Sequence, residues 1–127
     1  MSIRFNSFRR HNLNDPNAKP RYYAIAQKRG KTGIDQLART ISERTTMSRA
    51  DVYGVLVSLE EVMAEEFEEG RTVELGNIGT FSISLSSKGA ESAEAFTASL
   101  ITKVRIVFRP GKIFKDLFKT LKFVKKP

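Results

Sequence analysis

Lys103, Arg105 and Arg109 stand two and four residues apart, with Val104, Ile106 and Phe108 interleaved among them. In a strand, successive side chains point to opposite faces, so this spacing sends the cations to one side and the apolar groups inward. Arg109-Pro110-Gly111 ends the strand. Lys112, Lys115 and Lys119 then recur on the outside of a predicted helix whose inner side carries Phe114, Leu117, Phe118 and Leu121. Rows of guanidinium and ammonium groups suit a polyanion: each neutralises a phosphate and releases a counterion, giving affinity and position without reading sequence. These six residues are the principal candidate contacts, with Lys88 as a further one. Arg21, Lys28 and Arg29 form a secondary set. Plain solubility is the competing explanation for such cations, and docking to a membrane surface or a partner groove is the competing fate of the basic helix. The phosphate-facing reading is preferred because the adjacent strand carries the same outward charge.

Other chemistries lack their residues. There is no Cys and no Trp, and His11 is the only histidine, so no disulfide framework, Cys-based zinc site or Ser-His-Asp triad is available. Glu60, Glu61, Glu65, Glu66, Glu68 and Glu69 crowd together, but on the polar face of a helix with no His beside them, and a solvated face explains them better than a metal or acid/base site. No nucleophile–base pair or phosphate loop is found. The sequence therefore reads as non-enzymatic, without cofactor or metal.

The charge is segregated along the chain. Residues 1–31 carry eight Lys/Arg against one acid (+7), residues 32–102 five against twelve (−7), and residues 103–127 nine against one (+8). Two positive ends flank an acidic middle, so the folded chain should present distinct charged faces. At 127 residues the chain suits one domain with an appendage, which places an N-terminal extension at 1–31 and the main domain at 32–127. The N-terminus lacks the apolar stretch of a secretory signal, and no run approaches the roughly 20 apolar residues of a membrane span, so a cytoplasmic protein is expected.

The elements that must position the cations follow from the periodicity. Residues 1–20 are a weak strand at best, although Ile3–Phe8, if extended, would pair with a strand at Arg21–Gln27 through turn chemistry at Asp15-Pro16-Asn17. Ile34, Leu37, Ala38 and Ile41 mark a first short helix. Ser48-Arg49-Ala50-Asp51 begins a second in capping-box fashion, with Met47 positioned to staple onto Val52, and Gly70 stops it. Its apolar positions, Val52, Val55, Leu56, Leu59, Val62, Met63 and Phe67, cover more of the circumference than one small domain can bury. A period of two then predicts strands at Thr72–Leu75 and Ile78–Leu85, a loop or arm over Ser86–Thr102, and the cationic strand from Lys103.

Two segments in this order carry a family resemblance. Leu75-Gly76-Asn77-Ile78-Gly79-Thr80-Phe81 resembles the turn between the first two strands of the bacterial histone-like (HU/IHF) DNA-binding proteins, and Phe108-Arg109-Pro110-Gly111-Lys112 resembles their passage from last strand to last helix. The resemblance covers about residues 33–122; the first 31 are similar to the N-terminal extension of a longer subfamily. It implies an α+β intertwined homodimer with a two-helix start, a three-stranded antiparallel sheet bearing an arm, a C-terminal basic helix and extra N-terminal strands. The function it implies is nucleoid-associated, architectural binding and condensation of double-stranded DNA. Family arms are basic and carry a proline wedge that bends the duplex. Here Ser86–Thr102 holds Lys88 against Glu91 and Glu94 and has no proline. Phe96 is the only candidate for that wedge, and an aromatic in a loop more often tucks against the body. No segment reads as a major-groove recognition helix, so binding is expected to be non-sequence-specific or only weakly specific. The alternative is a dimeric interaction module of the same fold with reduced DNA binding.

Overall fold

The computed structural model describes residues 2–127. In chain order they form β1 (Ile3–Arg10), β2 (Arg21–Ala26), α1 (Ile34–Arg44), α2 (Arg49–Glu68), β3 (Val73–Glu74), β4 (Gly79–Ser87), a 3₁₀ turn (Ala98–Leu100), β5 (Ile101–Pro110), α3 (Lys112–Thr120) and β6 (Phe123–Lys125). The result is a mixed α+β chain with two three-stranded sheets, ordered β2-β1-β6 and β3-β4-β5. It divides into two units, Thr32–Asp116 and the residues through Lys31 together with Leu117–Pro127. No helix of the described residues is long and apolar enough to cross a membrane.

In the larger unit the helical signals act as their chemistry requires. The Ser48 hydroxyl accepts the Asp51 amide at 3.1 Å and so caps α2. Arg49 reaches back to Asp35 of α1 at 2.9 Å, and among the described residues Ala38 of α1 and Val52 of α2 are the buried apolar side chains. Past the end of α2, Gly70 adopts φ +72°, and the Gly70 and Arg71 amides fold back onto the carbonyls of Phe67 and Glu66 at 3.0 Å each.

The two family-like segments are physically one junction. Gly79 pairs in register with Pro110, the Gly111 amide donates to the Ile78 carbonyl at 2.8 Å, and the Ile113 amide donates to the Asn77 carbonyl at 3.3 Å. Gly79 sits at φ +143°, and a Cβ there would strike the Arg109 carbonyl and lie 2.8 Å from the Phe108 ring. Only glycine lets β4 start this close to the end of β5. Phe81 stacks on Phe108 at 4.7 Å, and Phe108 meets Phe114 edge-on at 6.3 Å, which packs the first turn of α3 against the sheet.

In the smaller unit, β1 and β2 pair antiparallel from Phe5↔Ala26 to Arg10↔Arg21. The turn between them is held as its residue types suggest: Asn12 Oδ1 accepts the Asn14 amide at 2.9 Å and Asp15 Oδ1 the Asn17 amide at 3.2 Å. The conditional hairpin of the sequence reading therefore forms. β6, which that reading did not contain, adds parallel to β1, with Ile3↔Phe123 in register. Phe123-Val124-Lys125 is too short to carry a readable periodicity, and a parallel partner 120 residues away leaves no local signal.

Two other boundaries differ from expectation. The segment Ser86–Thr102 is not all loop: β4 runs to Ser87, β5 starts at Ile101, and the two stay paired to Ser87↔Ile101 after a register shift at Ser86/Ser87. Ser86 and Ser87 continue the ladder although serine has no marked strand preference, because they pair with Lys103 and Ile101 of β5, next to the strand-favouring Thr102. The apolar residues expected to face inward, Val104 and Ile106, are 59% and 52% exposed in the single chain, and Leu37, Ile41, Leu117 and Phe118 are also open. They form the correct faces, but one chain supplies nothing to cover them.

Candidate nucleic-acid interface

Antiparallel pairing puts directly opposite residues on the same side of the sheet. Lys103 lies opposite Ser86, Arg105 opposite Ser84, Val107 opposite Ser82, and Arg109 opposite Thr80. One face of β4-β5 thus carries three cations beside a ladder of four hydroxyl residues, and the reverse face carries Phe81, Ile83 and Leu85 beside Phe108, Ile106 and Val104. Hydroxyls donate to phosphate oxygens, and Lys and Arg add charge to the contact. The single acid of these strands, Glu74, is opposite Thr80 at the sheet's end. Among the described residues, Lys103, Arg105 and Arg109 make no ion pair.

On α3 the cations differ from one another. Lys112 Nζ stands 3.4 Å from Asp116 Oδ2, with both side chains largely exposed; a pair of this kind contributes roughly 0–1 kcal/mol. Lys115 and Lys119 are exposed and, among the described residues, unpaired. The i,i+4 spacing of Lys112 and Asp116 is itself the sequence signal for this pair. The hydroxyl ladder was visible as alternation, but its alignment with the cations needed the β4-β5 register.

The arm is short and self-contained. The Lys88 amide donates to the Leu100 carbonyl at 2.9 Å, which holds Lys88 where the paired ribbon ends. Beyond it, Ser92 Oγ accepts the Ala95 amide at 3.1 Å, and the Phe96 amide donates to the Ala93 carbonyl at 3.3 Å. Phe96 is 42% exposed, neither tucked into a core nor standing free. The secondary cations belong to the other unit: Arg21 opens β2 opposite Arg10, and Lys28 and Arg29 follow the end of that strand.

Against known proteins, residues 1–125 match the family described as an HU domain fused to a wHTH, Ig, or glycine-rich motif. Among solved structures, the chain is similar to a candidate bacterial DNA-binding protein from Bacteroides vulgatus, with a TM-score of 0.64 at 13% identity. The alignment covers 96% of this chain and 47% of that one, so this chain spans about half the length of the structure it matches. At that identity the likeness establishes the fold. No curated protein matches the chain.

Proposed function

Because the chain belongs to the family of HU domains fused to other modules, we propose that it is an architectural, nucleoid-associated protein of the bacterial cytoplasm that binds duplex DNA as a homodimer with little regard to sequence. The observation that carries this reading is the β4-β5 face, where Lys103, Arg105 and Arg109 align with Ser86, Ser84 and Thr80 and none of the three meets a carboxylate among the described residues. Within the same unit Lys115 of α3 adds a further cation, Lys112 joins at the cost of its Asp116 pairing, and Lys88 contributes at the ribbon's end; Lys119, in the other unit, is a separate candidate contact. The fold likeness to a candidate DNA-binding protein supports the same direction.

The homodimer is supported by what one chain leaves uncovered. Val55, on α2, is 56% exposed, and so is much of the apolar face of β4-β5. A second copy brings an equivalent set of uncovered surfaces. The arms grip weakly in this proposal, since Glu91 and Glu94 outnumber Lys88 and no proline wedge is present. Phe96 is the residue that would have to replace the wedge.

The test is the salt dependence of binding to two unrelated duplexes of equal length, followed by fluorescence anisotropy. Phosphate neutralisation predicts similar affinities for both and a slope of log affinity against log salt of about −0.9 per phosphate neutralised. A protein of the same fold that serves as an interaction scaffold would show little retention of either duplex at low salt, and that result would reject the proposal.

A further inference from the structure

The smaller unit carries a second surface of a different chemistry. Phe8 and Tyr23 lie directly opposite each other across β1 and β2, their rings 6.1 Å apart and tilted by 41°. They are 41% and 46% exposed. The next pair on the same face is Arg10 opposite Arg21. Like charges held directly opposite are destabilising, and among the described residues neither guanidinium has a carboxylate partner. Immediately beyond, Arg10, His11, Lys19, Arg21 and Tyr23 line a cleft of about 580 Å³. Asp15, the one acid in the first 31 residues, does not line it and spends its Oδ1 on the Asn17 amide. An exposed aromatic pair thus adjoins a cationic cleft that contains no acid.

We propose that this face is a second nucleic-acid site, selective for single-stranded DNA, in which bases stack on Phe8 and Tyr23 while the adjoining phosphate enters the cleft between Arg10, Lys19 and Arg21. Charge complementarity requires a polyanion, and the aromatic pair decides which one. A duplex hides its base faces in the stack and offers phosphates and base edges, so exposed rings gain little from it. An unpaired strand presents both base faces and phosphates, the combination that stacking platforms beside basic grooves recognise. The site uses no residue of β5 and stands or falls independently of the duplex-binding face. A protein holding both could bind a duplex and retain a strand displaced from it.

Binding of the full chain to a labelled oligothymidylate of about 12 nucleotides, within the usual site sizes of such platforms, is measured beside binding to a duplex. Phe8→Leu with Tyr23→Leu keeps apolar bulk in the sheet and removes the rings. This variant should weaken oligothymidylate binding roughly five- to 150-fold and leave duplex affinity within about twofold. Tyr23→Phe should bind as the wild type does. Arg105→Ala should show the reverse pattern, weakening the duplex and sparing the oligonucleotide. If circular dichroism shows that the double leucine variant loses its sheet, Arg10→Gln with Arg21→Gln takes its place and should also weaken the oligonucleotide at least fivefold. Absence of oligothymidylate binding by the wild type would overturn the proposal. So would undiminished binding by a folded variant, or an equal loss of both ligands with Arg105→Ala, which would mean a single surface serves them both.

Discussion

Arg105 and Lys112 both carry one positive charge, but only Lys112 has a carboxylate beside it. That difference separates their expected effects. Arg105 stands in mid-strand opposite Ser84, free to give its full charge to a phosphate, so Arg105→Ala should weaken binding to unrelated duplexes alike. In a dimer it should make the salt slope shallower by about 1.8, twice the value for one phosphate. Lys112→Ala should cost less, because contact with DNA competes with Asp116, and Asp116→Asn should tighten binding by removing both the competitor and a negative charge. Arg39→Ala is the control: it removes a cation already engaged with Glu43 at 3.6 Å, far in sequence from β5, and should leave affinity and slope nearly unchanged. Phe96→Ala tests the wedge. With Phe96 half covered and its amide committed to the loop, DNA bending measured by energy transfer between end labels should not change.

At the scale of elements, the fold depends on the junction between the β3-β4 turn and the end of β5. Gly79→Ala places a methyl group against the Arg109 carbonyl at a backbone angle that side chains rarely adopt. Strain and overpacking each contribute on the order of 1–3 kcal/mol, so the free energy of unfolding obtained from urea titration should fall by several kcal/mol, with a matching drop in the urea midpoint. The arm is the opposite case. Residues 89–95 hold only local contacts and a net negative charge, so deleting Gly89–Ala95 should leave the fold intact and reduce duplex affinity less than Arg105→Ala does. A strong loss of binding with the fold preserved would return the grip to the arms.

At the scale of the whole molecule, exposure makes the case for a partner. The chain exposes 11122 Å², whereas a well-packed monomer of 14.3 kDa exposes about 6,800 Å², and two separate units of these lengths only about 8,000 Å². The excess of about 3,000 Å² per chain is commensurate with obligate interfaces, which run to 5,000 Å² and beyond in total. Sedimentation equilibrium should therefore give about twice the 14.3 kDa chain mass; a stable monomer at micromolar concentration with native helix content would reject the homodimer. Leu59→Lys should unfold the protein as well as dissociate it, since an unpaired charge on the wide apolar stripe of α2 would have to be buried.

What the sequence determined alone is what depends on near neighbours. Ser48 caps α2 because its hydroxyl reaches an amide three residues on, Gly70 stops the helix because it tolerates a positive φ, and alternation between residues 103 and 109 separates cations from apolar groups whatever lies across from them. The glycine-rich turn and the Arg-Pro-Gly segment were likewise legible as patterns. The tertiary structure decided what depends on pairing between distant segments. That includes the contact of those two patterns at Gly79, the alignment of Lys103 and Arg105 with Ser86 and Ser84, the recruitment of Phe123–Lys125 to β1, and the meeting of Phe8 with Tyr23 beside a cationic cleft. Local chemistry fixes which face a side chain takes within its own element. Only the register of distant strands, set by hydrogen bonds and packing that no window of sequence contains, fixes what that face meets.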